Sequence, residues 1–541
     1  MNEQRIFVGR KAELERFRQV LKDPRGQAIL VVGQAGMGKS WLLDRMAQLA
    51  QNHPDLKCGY VRYEVTRTDS TDSTMALMID HAFEAAQAEA GSFDKTDQRK
   101  RQWHALFKVV VPKGSDLLEL AQSLRRDPQK HTRDQFLERL ELISRRMPEN
   151  GRAVFTIDPE KYMEADSADA WRLVIRALPD KIKFLFAQRP EDELIKNTDF
   201  LALPKIIRIP DKSLGILAET EVDDLVRLRA DSTSQNGNTL IEVTSRYKGH
   251  PYAIQAALDI IERTGSVEAL PPDPTPEKIA QTQWEQVCKD DDAIRLFEAF
   301  AILEVGVPED IVLDVSGLDR TTCKRLYADP YLRGLLREEG QGLRIYHAIL
   351  RDHIVGQMHK DEWTQYHTKA AAFYRTKLKH AEDQKIAPDA LAATRLPEHV
   401  LATDGPKGFV DAFVNECTSA LMNLGLLDAF ISLSQRGLKA VEGDSVEEAS
   451  LLGNLGLIYR KRGDLDQAEK MHKRSLEIDK KLGRLEGMAI QYGNLGVVYE
   501  QRGDVAKARE YWTEALGLFQ QIGMPPEVVM VQGLIDGLAA E

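Results

Sequence analysis

The sequence has few cysteines and pairs none of them. Cys58, Cys288, Cys323 and Cys417 are scattered over 541 residues without C-x-x-C spacing, so neither a disulfide framework nor a zinc site is expected, and a reducing compartment fits. No apolar run approaches the roughly 20 residues of a membrane-spanning helix. Met1-Asn2-Glu3-Gln4-Arg5 lacks a signal-peptide pattern, so the expected location is cytoplasmic, with no membrane partner. An excess of positive charge is missing too: the formal net charge is −11, which argues against a dominant nucleic-acid binder. The basic clusters Arg99-Lys100-Arg101 and Arg125-Arg126 are interspersed with Asp and Glu and read as solvated helix faces. Hydrophobic content of 43% and charged content of 29% are those of a soluble globular protein, and the length implies several domains, roughly three to four.

What is present begins at Gly33-Gln34-Ala35-Gly36-Met37-Gly38-Lys39-Ser40, which matches G-x-x-x-x-G-K-[ST], the phosphate-binding loop of nucleoside triphosphatases. The apolar run Ala28-Ile29-Leu30-Val31-Val32 leads into it as a buried parallel strand, and Trp41-Leu42-Leu43-Asp44-Arg45-Met46 follows as a helix. The motif therefore sits where its mechanism needs it. Gly33, Gly36 and Gly38 let the backbone wrap around phosphate, and the helix N-terminus adds partial positive charge. Lys39 is placed to reach the β- and γ-phosphates, and the Ser40 hydroxyl to ligate Mg²⁺.

Along the chain, residues 1–210 alternate strand-like and helix-like stretches. The further strands are Gly59–Val65, Ala153–Ile157, Lys183–Ala187 and Ile206–Ile209. Such alternation predicts a parallel sheet flanked by helices. Residues 211–276 carry helical patterns only and end in the stiff linker Pro271-Pro272-Asp273-Pro274-Thr275-Pro276. Residues 277–358 read as helices followed by a short hairpin around Gly340-Gln341-Gly342, the order of a winged helix. Residues 359–430 read as a helical linker or degenerate repeat, and 431–541 as repeats. There Gly453-Asn454-Leu455-Gly456 recurs as Gly493-Asn494-Leu495-Gly496, and Arg462-Gly463-Asp464 as Arg502-Gly503-Asp504, a period of 40 residues. Small residues at a helix crossing, an aromatic one turn on and a Gly-Asp turn are the needs of tetratricopeptide repeats, which leave a concave face for a protein partner. The expected fold is an α/β P-loop nucleotide-binding domain, an all-α lid, a winged helix and an α-solenoid of tetratricopeptide repeats.

A phosphate loop needs a second carboxylate for Mg²⁺, and Asp158, at the end of an apolar strand, is the candidate. Glu160 is the nearest candidate for the group that positions the attacking water, although Pro159 stands where many hydrolysing relatives place an acid. Arg189 ends the next strand, where a guanidinium can read the third phosphate. His347 and His353 do not share a helix face, so they make no metal site.

In these segments the chain resembles the signal-transduction ATPases with numerous domains (STAND), the group that includes NB-ARC proteins. Phe7-Val8-Gly9-Arg10-Lys11-Ala12-Glu13-Leu14 is similar to the family's VGR-x-x-E-L segment, Ala187-Gln188-Arg189-Pro190 to its sensor, Gly249-His250-Pro251 to its G-x-P motif, and Tyr346-His347-Ala348 to its Met-His-Asp motif, with Ala348 in place of the Asp. The resemblance covers residues 5–356. It implies that Val8, Gly9, Arg10 and Pro251 lie against the adenine, that Arg189 contacts the γ-phosphate, and that His347 contacts the β-phosphate of ADP.

The function expected is an ATP/ADP-dependent signalling switch with slow ATP hydrolysis, Mg²⁺ as its metal, a protein or other ligand sensed by the repeats, and nucleotide-dependent self-association. Three other readings compete with it. One is a DNA-binding transcriptional regulator acting through the winged helix, whose candidate recognition stretch Asp319–Leu326 is only mildly basic. The others are an AAA-type ring ATPase and a repeat scaffold with structural nucleotide. With no effector module recognisable before residue 5 or after the repeats, the output is expected to come from a partner or from assembly.

Overall fold

The computed structural model describes residues 9–65, 98–110, 132–159 and 165–538, except 231–236 and the single positions 274, 305, 340, 341, 387, 425, 442 and 462, and adds 74, 75, 78, 79, 82, 86, 123 and 124. It divides into two compact units, Met1–Arg126 with Gln135–Ala370, and Asp127–Asp134 with Ala371–Glu541. Among the described residues no helix is long and apolar enough to cross a membrane.

The first unit is built on five parallel strands, β1 (Gln27–Val32), β2 (Lys57–Val65), β3 (Gly151–Pro159), β4 (Ile182–Gln188) and β5 (Ile206–Arg208), in the order β2-β3-β4-β1-β5. β1 and β4 are buried along their whole length, which is why they read as continuous apolar runs rather than alternating ones. Period two still sorts their side chains. Leu30, Val32, Phe155, Ile157, Phe184 and Phe186 enter one core with Trp103 and Trp171. Ile29, Val31, Val154, Leu185 and Ala187 enter the other, with Leu42, Leu43 and Met46 of the helix Lys39–Gln51. Aromatic packing dominates the first face: Phe155 stacks on Phe184 at 5.3 Å and Trp171 meets Phe186 edge-on at 5.0 Å.

This strand order lines up the C-terminal ends of β3, β4 and β1. Val32 pairs with Gln188, and Ile157 with Phe186. Open parallel sheets place their ligand sites at such ends. Beyond the sheet come the helices Glu219–Ala230, Gly237–Ser245 and Pro251–Thr264, then Pro276–Val287, Asp291–Leu303, Glu309–Ser316, Arg320–Ala328 and Pro330–Gly334. Local chemistry sets their starts. Thr275 caps Pro276–Val287 with Pro at N1, and the Asp290 and Asp319 carboxylates accept the first free N–H groups of the next two capped helices. An antiparallel hairpin, β6 (Leu336–Glu339) and β7 (Gly342–Ile345), precedes the helix Ala348–Gln357.

The second unit is helical. Its helices Val446–Lys461, Leu465–Leu482, Leu485–Gln501 and Val505–Ile522 form two hairpins repeating at the expected period. Asp464 and Asp504 cap the second helix of each pair, after Gly463 and Gly503 at φ of 80° and 78°. At each crossing a glycine faces a ring. A Cβ on Gly456 would lie 2.5 Å from the His472 ring, and one on Gly496 would run into the Trp512 indole, whereas one on Gly493 would meet nothing within 4 Å. Gly496→Ala should therefore lower repeat stability by about 1–3 kcal/mol, while Gly493→Ala should raise it by about 0.5–1 kcal/mol through helix propensity. Thermal midpoints that move together in the two variants would contradict this packing.

Candidate functional site

The phosphate loop opens where β1 ends, with Gly33 N–H donating to Gln188 O at 3.0 Å. Gly36 and Gly38 adopt φ of 80° and 78°, a region other residues rarely enter, and Gly38 caps the helix that starts at Lys39. The segment 213–217 braces the loop from outside. Leu214 N–H donates to Val32 O at 2.6 Å, and Leu217 N–H donates to Gly249 O at 2.7 Å. Arg10, itself at φ 58°, donates its backbone N–H to Glu221 Oε1 at 2.8 Å and its guanidinium to Gly215 O at 2.5 Å and Met37 O at 3.5 Å. Arg10 thus ties the loop to the segment after β5 and to the helix Glu219–Ala230.

Gly249, at φ 73°, turns the chain into the helix Pro251–Thr264, where Pro251 occupies N1 and His250 Nδ1 accepts from Ala253 N–H. The start of this helix lies on the phosphate loop. Tyr252 N–H donates to Gly36 O at 3.2 Å, and a Cβ on Gly36 would be 2.5 Å from His250 Cε1. A Cβ on Gly38 would be 3.8 Å from Pro251 Cβ. His347 reaches the same place from the end of β7. Its ring stacks on Tyr252, 4.1 Å between centroids and 20° between planes, while its Nδ1 accepts from Ile349 N–H at 3.2 Å. With Nδ1 accepting, the neutral ring carries its proton on Nε2.

The charges converge here as well. Lys39 Nζ donates to Gly33 O at 2.6 Å and Gln34 O at 2.9 Å, and burial lowers its pKa to about 8, against the pull of the Asp158 carboxylate. Asp158 is buried and accepts from Arg62 Nη2 at 2.6 Å; Arg62 also pairs with Asp44. Arg189 follows β4, partly buried, and its backbone N–H donates to Asp192 Oδ2 at 2.6 Å. Burial raises the Asp192 carboxyl to about 6, and its Oδ1 has no hydrogen-bond partner among the described residues. Burial first, then the neighbouring Lys39, Arg337, His250 and Arg189, push His347 down to about 3. The ring is therefore neutral at physiological pH.

Lys39, Asp158, Arg189, Pro251 and His347, drawn from five separate stretches of sequence, gather around one glycine loop, with Ser40 at the start of its helix. The donor set fits a polyphosphate with Mg²⁺: backbone N–H groups at a helix N-terminus, a partly buried amine that donates to two carbonyls of its own loop, a hydroxyl and a carboxylate. Gly9 and Arg10 adjoin the loop through Glu221 and Met37. Val8 and Glu160 lie outside the described residues. No group of three or more His, Cys, Asp or Glu side chains able to hold a metal occurs among the described residues. Sequence reasoning missed Arg62, Asp192, Glu221 and Tyr252. Of these, Arg62 had a signal, a lone cation inside the apolar strand Tyr60–Val65, and Asp192 another, three residues beyond Arg189.

Two protein families match segments of the chain. Residues 6–186 match the AAA ATPase domain family, and residues 421–481 and 445–521 match the tetratricopeptide repeat family. No curated protein matches. Among solved structures, a STAND protein with a tetratricopeptide repeat sensor from Pyrococcus horikoshii is similar at 12% identity, covering 97% of this chain and 85% of that one, with a TM-score of 0.41. The Orc1 protein of Aeropyrum pernix in complex with DNA aligns at 12% identity over 65% of this chain and 94% of that one, TM-score 0.28. Cdc6p of Pyrobaculum aerophilum aligns at 11% identity over 66% and 98%, TM-score 0.31. With its parallel sheet, phosphate loop and 40-residue helical hairpins, the chain carries an AAA ATPase domain over residues 6–186 and tetratricopeptide repeats within 421–521.

Proposed function

We propose that this protein is an adenine-nucleotide switch of the STAND kind, in which bound nucleotide holds the α/β domain (1–210), the helical lid (211–276) and a winged helix (277–358) together. The observation that carries this reading is that the lid helix at Pro251 and the post-hairpin residue His347 both lie at the phosphate loop within one compact unit. Lys39 and the loop amides would hold the phosphates, Ser40 and Asp158 the Mg²⁺, Gly9, Arg10 and Pro251 the base, and the Nε2–H of His347 the β-phosphate. Mg²⁺ when bound supplies neutralisation of phosphate charge. Arg189 is assigned the third phosphate, which is how ATP and ADP come to favour different arrangements; a switch needs that difference in affinity, not tight binding alone. Hydrolysis is slow in this reading, and the repeats take a protein partner.

The helix Arg320–Ala328 supports a protein-facing role over a DNA-facing one. Arg325 is already paired with Asp290 at 2.6 Å and Asp292 at 2.8 Å, which withdraws it from phosphate contact.

The nucleotide reading is tested by what co-purifies. Wild-type protein, denatured and chromatographed, should release adenine nucleotide, mostly ADP, and Lys39→Ala should release almost none. Equal content in both would refute it. His347→Ala should speed ADP release on the order of tenfold or more, since a hydrogen bond to a charged group is worth roughly 1.5–3 kcal/mol.

The His347 environment gives a separate pH test. The unfolded chain takes a proton on this ring near 6.5, and the folded chain only near 3. Below 6.5 the unfolded state binds more protons, so this ring's contribution to stability is complete above 6.5 and declines as pH falls toward 3. Asp192, raised from 3.8 to about 6, acts in the opposite sense between those values. His347→Gln should therefore show a smaller drop in urea midpoint from pH 7 to pH 5 than wild type. An unchanged slope would place the ring in an ordinary solvated setting.

A further inference from the structure

We propose that Tyr252 is the positioning residue that carries the state of the phosphate loop to the His347 ring. The inference rests on the reading above, in which His347 faces a phosphate, and adds how that imidazole is aimed. Three contacts meet on this one buried residue. Its backbone N–H donates to Gly36 O at 3.2 Å, in the middle of the loop. Its ring lies on the His347 imidazole at 4.1 Å and 20°. Its phenol O–H donates to Gln283 Oε1 at 2.9 Å, on the helix Pro276–Val287.

Each contact removes a different freedom. The Ile349 N–H holds Nδ1 of His347 and so fixes the ring's rotation within its own plane. The Tyr252 face fixes the plane itself. Together they give the Nε2–H a single direction. The bond to Gln283 stops the phenol ring from sliding across the imidazole, and Gln283 is fully buried with its backbone carbonyl accepting from Tyr331 Oη at 3.3 Å. At the other end, a Cβ on Gly36 would lie 3.2 Å from Tyr252 Cβ, so no side chain fits between the loop and the root of this residue, and the N–H···O bond joins them directly. A shift of Gly36 on filling or emptying the loop moves Tyr252, and a face-to-face ring pair passes that movement to His347. An aliphatic residue of similar bulk fills the space but leaves the imidazole plane free.

The test uses the full chain and fluorescent N-methylanthraniloyl-ADP. Release rates are compared for wild type, Tyr252→Phe, Tyr252→Leu, His347→Ala and the double variant Tyr252→Leu/His347→Ala, at a temperature where all are folded by circular dichroism. Tyr252→Leu should speed release on the order of tenfold, approaching His347→Ala. Tyr252→Phe keeps the stack and should be slower to release than Tyr252→Leu. The double variant should be no faster than His347→Ala alone, because the two residues act through one interaction. Release by Tyr252→Leu at the wild-type rate beside a fast His347→Ala, or effects that multiply in the double variant, would overturn the proposal.

A second readout separates this from the assignment of His347 to phosphate. The histidines are labelled with ¹³C at Cε1, and the His347 signal is identified by its loss in His347→Ala. Adding ADP should shift that signal in wild type and not in Tyr252→Leu. If His347→Ala releases nucleotide like wild type, the phosphate assignment fails, and this spectrum alone decides for Tyr252. No shift in wild type, or an equal shift in both, overturns the proposal.

Discussion

What meets at the phosphate loop depends on Gly36 having no side chain. Its φ of 80° gives the loop its curvature, and the bare Cα leaves the room that the His250 ring and the root of Tyr252 take up beside it. An alanine there would carry a backbone penalty of roughly 1–2 kcal/mol and also push against both side chains. The same missing atom thus serves two purposes that are usually argued apart: wrapping the chain around phosphate and seating the lid helix. Closure is then reinforced from the far side by Arg10, whose left-handed backbone aims its N–H at Glu221 and its guanidinium at Gly215.

The charges follow from the same crowding. A buried ammonium is costly unless its donors are satisfied. Lys39 meets that need with two carbonyls of its own loop, and the carboxylates of Asp158, Asp192 and Glu191 raise its proton affinity while Arg189 lowers it. Asp158 in turn is held by Arg62, so the carboxylate that faces Lys39 is not free to collapse onto it. His347 is left neutral first by burial and then by the nearby Lys39, Arg337 and Arg189. A ring that stays neutral among positive charges is a hydrogen-bond donor that adds no repulsion to them, and the surplus positive field around it is what an anion would relieve.

The sequence showed all five strands, most of them as short apolar runs with turn chemistry at their ends, although β2 starts two residues earlier than expected and β3 runs two residues further at each end. β4 was expected over Lys183–Ala187 and spans Ile182–Gln188; β5 loses only Ile209. The hairpin flanked by Leu336 and Leu343 was equally plain. The glycine loop, Asp158 and Arg189 were readable because strand ends announce them. What stayed hidden was everything that depends on two distant segments meeting. Arg10 and Glu221 are 211 residues apart, Arg62 and Asp158 are 96 apart, and no local pattern in either partner names the other. Tyr252 looked like an ordinary apolar position in a helix first turn, since the ring it stacks on belongs to a histidine beyond a hairpin.

The repeats show the opposite case, and the reason is physical. Every contact that defines them lies between neighbouring helices, so the pattern in one copy predicts the other. Yet the two crossings solve one problem with different chemistry. Gly496 makes room for the Trp512 indole, whose Nε1–H donates to Gly493 O at 3.0 Å. Gly456 makes room for His472, forty residues earlier, and that smaller ring pairs its Nδ1 with Gln491 Oε1 at 2.9 Å. Gln491 belongs to the following hairpin and lies against Gly453, so the side chain that pairs with the histidine Nδ1 also ties the two copies together. The indole reaches a main-chain carbonyl by itself; the imidazole needs a partner from the next hairpin. Substituting a ring of different reach at a crossing therefore changes how strongly adjacent repeats are bound to each other, while the helical hairpin itself, set by its Gly-Asp turn and its caps, is left in place.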